Sequence, residues 1–295
     1  MYATSKVSVT PPSVRYTRHE VVTRRLTHES EGDVLTFLSE RPMHTVAMTG
    51  FIRDNGLVSE LNRGAFYGCT NRQGKLEGVA LIGHSTLMET RTDRALHAFA
   101  DLACQNATPH LIMGEKERIA LFWNYYSEDR QEMRLACREL LLELREPGPV
   151  REEVFELRMA IPGDTELVLP VHAQMALEES GINPMERDLE GFRKRCARRI
   201  EQGRIWVCVE EGKLTFKADV ISDTPDAVYL EGVWVAPEKT GTGYGLRCMS
   251  QLTRNLLSHS KSIVLFVNEQ NKKAQRYYLK AGFGLRAAYD TIFLE

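Results

Sequence analysis

A predicted strand followed by a glycine-rich turn, at residues 229–245, most constrains what this chain can fold into. The stretch reads Tyr-Leu-Glu-Gly-Val-Trp-Val-Ala-Pro-Glu-Lys-Thr-Gly-Thr-Gly-Tyr-Gly. Its first half is rich in β-branched and aromatic residues, which favour a half-buried strand. Pro237 ends that strand because proline cannot donate to a strand ladder. Gly241, Gly243 and Gly245 then occupy every second position, immediately before a helical pattern.

The glycine triplet has two interpretations. Glycines let a backbone approach a ligand closely with its amides outward, and the following helix adds the positive end of its dipole, so the turn suits a pyrophosphate. An ordinary flexible loop is the alternative for an isolated triplet. A P-loop and a Rossmann turn fit less well, because the stretch lacks a Gly-Lys-Ser/Thr ending and the Gly-x-Gly-x-x-Gly spacing.

Composition excludes several classes of protein. The chain has 295 residues, 43% of them hydrophobic and 26% charged, which is typical of one large globular domain or two ordinary ones. A net charge of -2 gives no general attraction to nucleic acid or to an anionic membrane. Since we find neither a membrane-spanning run nor a signal peptide, we expect a cytoplasmic protein with no membrane or nucleic-acid partner. Residues 1–18 are predicted to form a flexible tail.

The cysteines indicate a reducing compartment. They are scattered, with no Cys-x-x-Cys and no paired histidines nearby, so we expect buried free thiols and neither a disulfide framework nor a metal site. The six are Cys69, Cys104, Cys137, Cys196, Cys208 and Cys248.

The order of the predicted elements indicates two related halves. Pro147-Gly148-Pro149 is the clearest linker. After it, helices, an antiparallel meander, the glycine turn, a helix, a parallel strand, a helix and a final strand describe a mixed α/β unit. The first half echoes this order: Cys69–Leu76 resembles Cys208–Leu214, and Tyr125-Tyr126 resembles Tyr277-Tyr278. A tandem duplication is therefore predicted.

Four local predictions accompany this outline. We expect a strand at 154–161 and a helix at 171–179. The helix after Asn183 carries five basic residues between Arg193 and Arg199, which we interpret as a solvated face, with a patch for nucleic acid or an acidic partner as the alternative. In the first half, the segment His84–Thr90 stands where a glycine turn would be expected, and it contains no glycine. We interpret His84 and Ser85 as polar loop residues.

The C-terminal half, from about Phe155 to Glu295, resembles the GCN5-related N-acetyltransferase (GNAT) family. Four motifs carry the resemblance in order and spacing: Gly232–Pro237, Thr240–Gly245, Val267–Ala274 and Tyr277–Phe283. The whole chain further resembles two-module bacterial members of the family. This resemblance implies an α/β fold with a mixed antiparallel and parallel sheet flanked by helices in each module. Residues 19–150 would be a degenerate GNAT-like module, and residues 151–295 the acetyltransferase domain.

The resemblance also implies acetyl-CoA as cosubstrate, bound between two splayed parallel strands, and no metal. Backbone groups of Val233, Trp234 and Val235 would pair with the pantetheine arm, and Asn271 would hydrogen-bond the cofactor. The pyrophosphate would meet the loop formed by Thr240, Gly241, Thr242, Gly243, Tyr244 and Gly245. The family usually has Arg or Gln where this chain has Thr240, so a long side-chain donor is missing there.

Two side chains are predicted to move protons. Tyr278 matches the family's position for the acid that protonates the departing thiolate. Glu231, on the strand beside the thioester, is our first candidate for the base that deprotonates the amine. Glu178, Glu179 and Asp219 are rivals, since an exposed carboxylate with a pKa of about 4 needs tuning to act as a base.

We therefore predict an acetyl-CoA-dependent N-acetyltransferase that moves an acetyl group to a primary amine by direct attack in a ternary complex. The acceptor would be a small-molecule amine or a protein amine, since a fold does not select among them. The alternative is a non-catalytic acyl-CoA-binding or interaction module that retains the GNAT fold. The sequence does not specify an oligomeric state.

Overall fold

The computed structural model describes residues 21–106, 109–126 and 132–294, so the predicted tail at 1–18 lies outside the described residues. The described strands form a single sheet. The strands are β1 (Val21–Arg25), β2 (Gly64–Asn71), β3 (Leu76–Gly83), β4 (Ser85–Thr90), β5 (Leu111–Glu115), β6 (Met133–Leu144), β7 (Arg158–Met159), β8 (Ile205–Glu210), β9 (Lys213–Asp223), β10 (Val228–Val235), β11 (Ile263–Asn268) and β12 (Gly284–Leu294). Their order across the sheet is β1-β2-β3-β4-β5-β12-β6-β11-β10-β9-β8-β7.

Helices cover both faces of this sheet. They are α1 (Glu31–Ser39), α2 (Pro42–Asn55), α3 (Asp93–Asn106), α4 (Lys116–Tyr126), α5 (Thr165–Ser180), α6 (Pro184–Glu201), α7 (Tyr244–Leu257) and α8 (Lys272–Lys280). In the N-terminal half, α3 and α4 bury one apolar cluster against the sheet, and α1 and α2 bury another. In the C-terminal half, α7 and α8 pack on one face, and α5 and α6 pack on the other. The predicted mixed α/β architecture is confirmed.

The two halves exchange their last strands. β6 comes from the N-terminal half but pairs with β11 and β12, whereas β12 comes from the C-terminal half but pairs with β5 and β6. Helix α2 also crosses the junction, since a Cβ added at its Gly50 would clash with the side chain of Ser222 on β9. The predicted division at residue 150 therefore lies within one continuous sheet, and the module boundaries themselves stay a prediction.

The repeated order of elements agrees with the predicted duplication. The similar segments around Cys69 and Cys208 belong to equivalent hairpins, β2–β3 and β8–β9. The two Tyr-Tyr pairs belong to equivalent helices, α4 and α8. Each half also contains one parallel pair of strands, β4 with β5 and β10 with β11.

Some local predictions were wrong. In the segment predicted as a strand at 154–161, only Arg158–Met159 is a strand, because a turn closed by Leu157 N and Val154 O places both of those side chains in the core. Helix α5 begins at Thr165, not Val171, and continues through Pro170. The segment 84–90 is not a loop, since Ser85–Thr90 forms β4 and the counterpart of the glycine turn would come after it.

The arginine-rich face of α6 is more than a solvated surface. Arg193 pairs with Glu166 and Arg195 with Asp188, whereas Arg198 donates to Asn55 Oδ1 of α2 at 2.9 Å. Part of this face therefore joins the two halves. Separately, no helix among the described residues is both long and apolar enough to cross a membrane.

The strand exchange predicts that the halves do not fold separately. A fragment 151–295 lacks β6, so β11 loses its antiparallel neighbour and β12 loses its longest partner. The backbone groups left without partners would destabilise the fragment, because unpaired buried backbone groups are costly. We expect fragments 1–150 and 151–295 to show no cooperative urea unfolding by circular dichroism. A fragment 132–295 restores β6 and is the matched control, expected to unfold cooperatively. Cooperative unfolding of 151–295 alone would contradict the importance of the exchange.

Candidate active site

The C-terminal half contains a V-shaped gap between two parallel strands. β10 and β11 pair only from Val228 with Ile263 to Leu230 with Leu265. Beyond that point β10 continues along β9, and β11 continues along β6. The two strands diverge because each stays bonded to its outer neighbour. We call the gap beyond Leu230 and Leu265 the splay.

A bulge on β10 exposes peptide groups at the splay. The register with β9 runs from Glu231 opposite Asp219 directly to Trp234 opposite Lys217, so Gly232 and Val233 have no register partner in the described sheet. Gly232 has a φ of +59°, in the left-handed region that favours glycine. Unpaired peptide groups on a strand edge can bond to an extended ligand as an added strand would.

The glycine turn connects the bulged strand to α7. Gly241 and Gly243 have φ values of +83° and +85°, and an added Cβ would meet nothing within 4 Å at either position, so backbone conformation alone requires glycine there. Gly245 has a different reason: its Cβ would lie 2.8 Å from Val235 Cγ2, so glycine allows α7 to pack closely on β10. The turn places the N-terminus of α7 at the end of the splay. Because helix N-termini attract anions, this end of the splay suits a negatively charged group.

The side chains of the turn are occupied in the protein. Thr242 Oγ1 donates to Lys239 O at 2.7 Å, and Thr240 Oγ1 donates to Ala236 O at 3.3 Å. Tyr244 is buried with its hydroxyl 2.8 Å from Thr215 Oγ1. Lys239 pairs with Glu210, and its ammonium lies 5.1 Å from the centre of the Tyr244 ring. Two backbone amides of the loop are also bonded internally, since Thr240 N donates to Pro237 O at 3.1 Å and Tyr244 N donates to Thr242 Oγ1 at 3.3 Å. The amides of the three glycines and of Thr242 are therefore the groups of this loop best placed for a ligand.

Helix α8 supplies the other two predicted residues. Asn271 is the N-cap, and its Oδ1 accepts from Ala274 N at 3.0 Å, which leaves its Nδ2 to donate to a ligand. Tyr278 is buried, with its ring 5.2 Å from Tyr277 and 5.9 Å from Phe283. Burial raises the pKa of Tyr278, so its phenol keeps its proton at neutral pH. That is the state that an acid requires.

Three carboxylates around the splay have raised pKa values. Glu231, on β10 just past Leu230, is accessible to solvent, yet surrounding protein raises its pKa, with Asp219 adding to the rise. Glu179, at the end of α5, is also accessible to solvent, yet surrounding protein and the charges of Glu231 and Glu139 raise its pKa to about 8. The pKa of Glu139 on β6 is also raised, mainly by burial. The hydrogen bond that its carboxylate accepts from Thr291 acts in the opposite direction. A carboxylate tuned in this way can serve as a base at neutral pH.

The two other rivals for the base differ from this group. Glu178 is exposed, as Glu179 and Glu231 are, but its carboxylate accepts a hydrogen bond from Gln174 Nε2 at 2.9 Å. Asp219 is buried and accepts from both Lys217 Nζ and His172 Nε2 at 2.7 Å. Those partners hold its pKa well below the usual value against the effect of burial, so it is a poor proton acceptor. Lys217, His172 and Glu139 were absent from the sequence-based candidates.

The equivalent gap in the N-terminal half is closed. β4 and β5 pair from Ser85 with Leu111 to Leu87 with Met113, and beyond them Glu89 and Glu115 project from the two strands. Arg41 bridges these carboxylates, with Nη1 3.1 Å from Glu89 Oε1 and both guanidinium nitrogens 2.9 Å from Glu115 oxygens. Only two residues separate β4 from α3, so no glycine turn follows the strand. Among the described residues, this half therefore has no glycine turn between its strand and helix, as predicted. The place where the turn would stand is after β4, not after β3 as the sequence suggested.

Comparisons with known proteins agree with this geometry. Residues 173–283 match the model of the acetyltransferase (GNAT) family. A GNAT-family acetyltransferase from Colwellia psychrerythraea superposes with a TM-score of 0.55 at 13% identity, covering 93% of this chain and all of its own. A tandem GNAT protein from the clavulanic acid biosynthesis pathway gives 0.58 at 14% identity, covering 92% and 98%. A protein from Drosophila melanogaster gives 0.67 at 13% identity, also covering 92% and 98%.

These similarities define the fold. Residues 173–283 match the GNAT family model, and the chain has the fold of a tandem GNAT protein, as the sequence predicted. No curated protein matches the sequence.

The closed gap generates a stability prediction. In Arg41→Met, the buried carboxylate of Glu89 keeps only Arg91 as a charged partner, and Glu115 loses a bidentate bond. We expect a loss of about 1–3 kcal/mol in the free energy of unfolding in urea. Arg195→Met, which breaks the exposed pair with Asp188, is the control and should cost less than about 0.5 kcal/mol. Equal losses in the two variants would show that the bridge does not hold this gap.

Proposed function

We propose that this protein is an acetyl-CoA-dependent N-acetyltransferase that uses the splay of its C-terminal half. One observation carries the proposal: a bulged β10, in which Gly232 and Val233 have no register partner in the described sheet, leads through two left-handed glycines to the N-terminus of α7. An extended amide chain fits the unpaired strand edge, and a pyrophosphate fits the helix N-terminus. Pantetheine and pyrophosphate occur in that order in acetyl-CoA, whose thioester would supply the acyl group.

Different groups of the chain would bind different parts of acetyl-CoA. Backbone groups of Val233–Val235 would hold the pantetheine, and amides from Gly241 to Gly245 would hold the pyrophosphate. Asn271 Nδ2 would donate to the cofactor. Because the long donor that the family usually has is Thr240 here, and Lys239 is paired with Glu210, the backbone would carry most of the phosphate recognition.

Proton transfer would use the tuned groups at the splay. Glu231, together with Glu179, would accept a proton from the amine, which must be neutral to attack. Tyr278 would deliver a proton to the departing thiolate, since burial keeps its phenol protonated. The acceptor would be a primary amine of a small molecule or of a protein.

The cofactor assignment is tested with a matched pair of variants. Gly243→Glu places a carboxylate where the pyrophosphate would lie, and Gly243→Gln imposes the same backbone strain at φ +85° without the charge. We expect calorimetric titration with acetyl-CoA to show micromolar binding by the wild type. Gly243→Gln should lose much less affinity for acetyl-CoA than Gly243→Glu, because only the Glu variant adds charge repulsion. No binding by the folded wild type would overturn the assignment.

Catalysis is tested after an amine screen that follows thiol release from acetyl-CoA. With the best amine, Tyr278→Phe and Glu231→Gln should each lower kcat by about 10²–10⁴-fold while leaving acetyl-CoA affinity within a few-fold. Wild-type rates in both variants would contradict the assigned roles. Binding of acetyl-CoA without turnover of any amine would favour the non-catalytic acyl-CoA-binding module.

The coupled carboxylates give a pH prediction. A base must be deprotonated to act, and a pKa raised to about 8 at Glu179 indicates that kcat/KM rises with pH through the neutral range. The charge of Glu231 raises the pKa of Glu179, so Glu231 ionises first. In Glu179→Gln, the group with the pKa of about 8 no longer titrates and Glu231 remains, so the ascending limb of the profile moves to lower pH. An unchanged limb would show that Glu179 does not interact with the base.

A further inference from the structure

A buried ionic cluster lies directly against the bulge of β10. Lys217 is fully buried, and its ammonium donates to Asp219 Oδ2 at 2.7 Å and to the carbonyl oxygen of Gly232 at 2.9 Å. His172 Nε2 lies 2.7 Å from the same Asp219 oxygen. The cluster joins three elements, since His172 is on α5, the ion pair is on β9 and the carbonyl is on β10.

Stability is a weak reason for such a cluster. Burying a lysine and an aspartate costs much of their hydration, and apolar replacements of similar size are often as stable or more so. Asp219 Oδ1 is also buried without a hydrogen-bond partner among the described residues, which adds to the cost. The arrangement therefore points to a requirement of the site.

The bond from Lys217 fixes the orientation of one peptide. The Gly232–Val233 peptide is trans, so its N–H points away from its C=O. Because the carbonyl of Gly232 is directed to Lys217, the N–H of Val233 is directed away from the cluster. Gly232 and Val233 have no register partner in β9, so the ladder does not hold this peptide, and the ammonium does.

Close packing prevents the peptide from turning. A Cβ on Gly232 would lie 2.5 Å from Asp219 Oδ2 and 2.8 Å from Lys217 Nζ, so these charged atoms pack directly against the Gly232 backbone. Burial lowers the pKa of His172, so its ring is neutral at pH 7 and donates from Nε2 to the carboxylate. His172 thereby fixes the carboxylate, and the carboxylate fixes the ammonium.

We propose that Lys217, held by Asp219 and His172, is a positioning residue that directs the Val233 N–H at the thioester carbonyl oxygen of acetyl-CoA. This inference rests on the proposed function. A donor fixed in advance at the site of developing negative charge stabilises the transition state without reorganisation. Lys217 itself touches neither cosubstrate nor acceptor and acts through the peptide that it holds.

The test uses the carbonyl stretch of bound acetyl-CoA, labelled with ¹³C at the acetyl carbonyl and observed by isotope-edited infrared spectroscopy. A hydrogen bond to the carbonyl lowers its stretching frequency, so no acceptor amine is needed. In the full-length wild type we expect a lower frequency for bound than for free acetyl-CoA. In Lys217→Met this shift should fall by roughly half or more, while calorimetric affinity for acetyl-CoA changes by less than about threefold.

Two further variants keep the test decisive. The double variant Lys217→Met/Asp219→Leu removes both charges together, so it folds even if the single variant leaves an intolerable buried carboxylate, and it should show the same reduced shift. Lys261→Met breaks the exposed pair with Asp226 in the same half and should keep the wild-type shift. A wild-type shift in the stably folded double variant would overturn this inference alone. Failure of the wild type to bind acetyl-CoA would overturn the proposed function and this inference together.

Discussion

The loss of pairing between β10 and β11 after Leu230 and Leu265 is the feature on which the rest of the site depends. Parallel strands normally remain bonded, and separating them exposes peptide groups that need other partners. Here each strand keeps one bonded neighbour, β9 for β10 and β6 for β11. The inner edges are left for a ligand that offers amides of its own. The glycine turn and α7 then complete the gap at the end where a phosphate would lie.

The strand that holds β11 comes from the other half of the chain. β6 pairs with β11, which forms one arm of the splay, and carries Glu139, whose charge helps to raise the pKa of Glu179. The N-terminal half is thus a structural part of the C-terminal site. Its own gap is bridged by Arg41, which bonds Glu89 and Glu115 across the divergent strands. The two halves thus differ at equivalent strand pairs, since the gap of the C-terminal half has no such bridge among the described residues and that of the N-terminal half has an ionic one.

The local features of the fold and of the site could be predicted from the sequence. Glycines at every second position before a helix predicted a turn with left-handed residues, and Gly241 and Gly243 have that conformation. The helix predicted after Asn271 is also present, as α8 with Asn271 at its N-cap. The family motifs gave the same order of elements, because each depends on residues a few positions apart.

The non-local parts could not be predicted in this way. Strand exchange depends on which edges meet in three dimensions, so no pattern in residues 133–144 or 284–294 distinguishes it from ordinary pairing. Lys217 and Asp219 alternate with apolar residues on a strand that otherwise looks like a core strand. Their partner His172 is 47 positions from Asp219. The misplaced β4 has the same origin, since only the register with β5 shows where the N-terminal gap begins.

The stoichiometry of acetyl-CoA binding tests the central claim most directly. Calorimetric titration of the full-length protein should give one site per chain, because the C-terminal gap is open with a glycine turn and the N-terminal gap is bridged without one. Two sites per chain would contradict the closed state of the N-terminal gap. No site would contradict the assignment of the splay to acetyl-CoA.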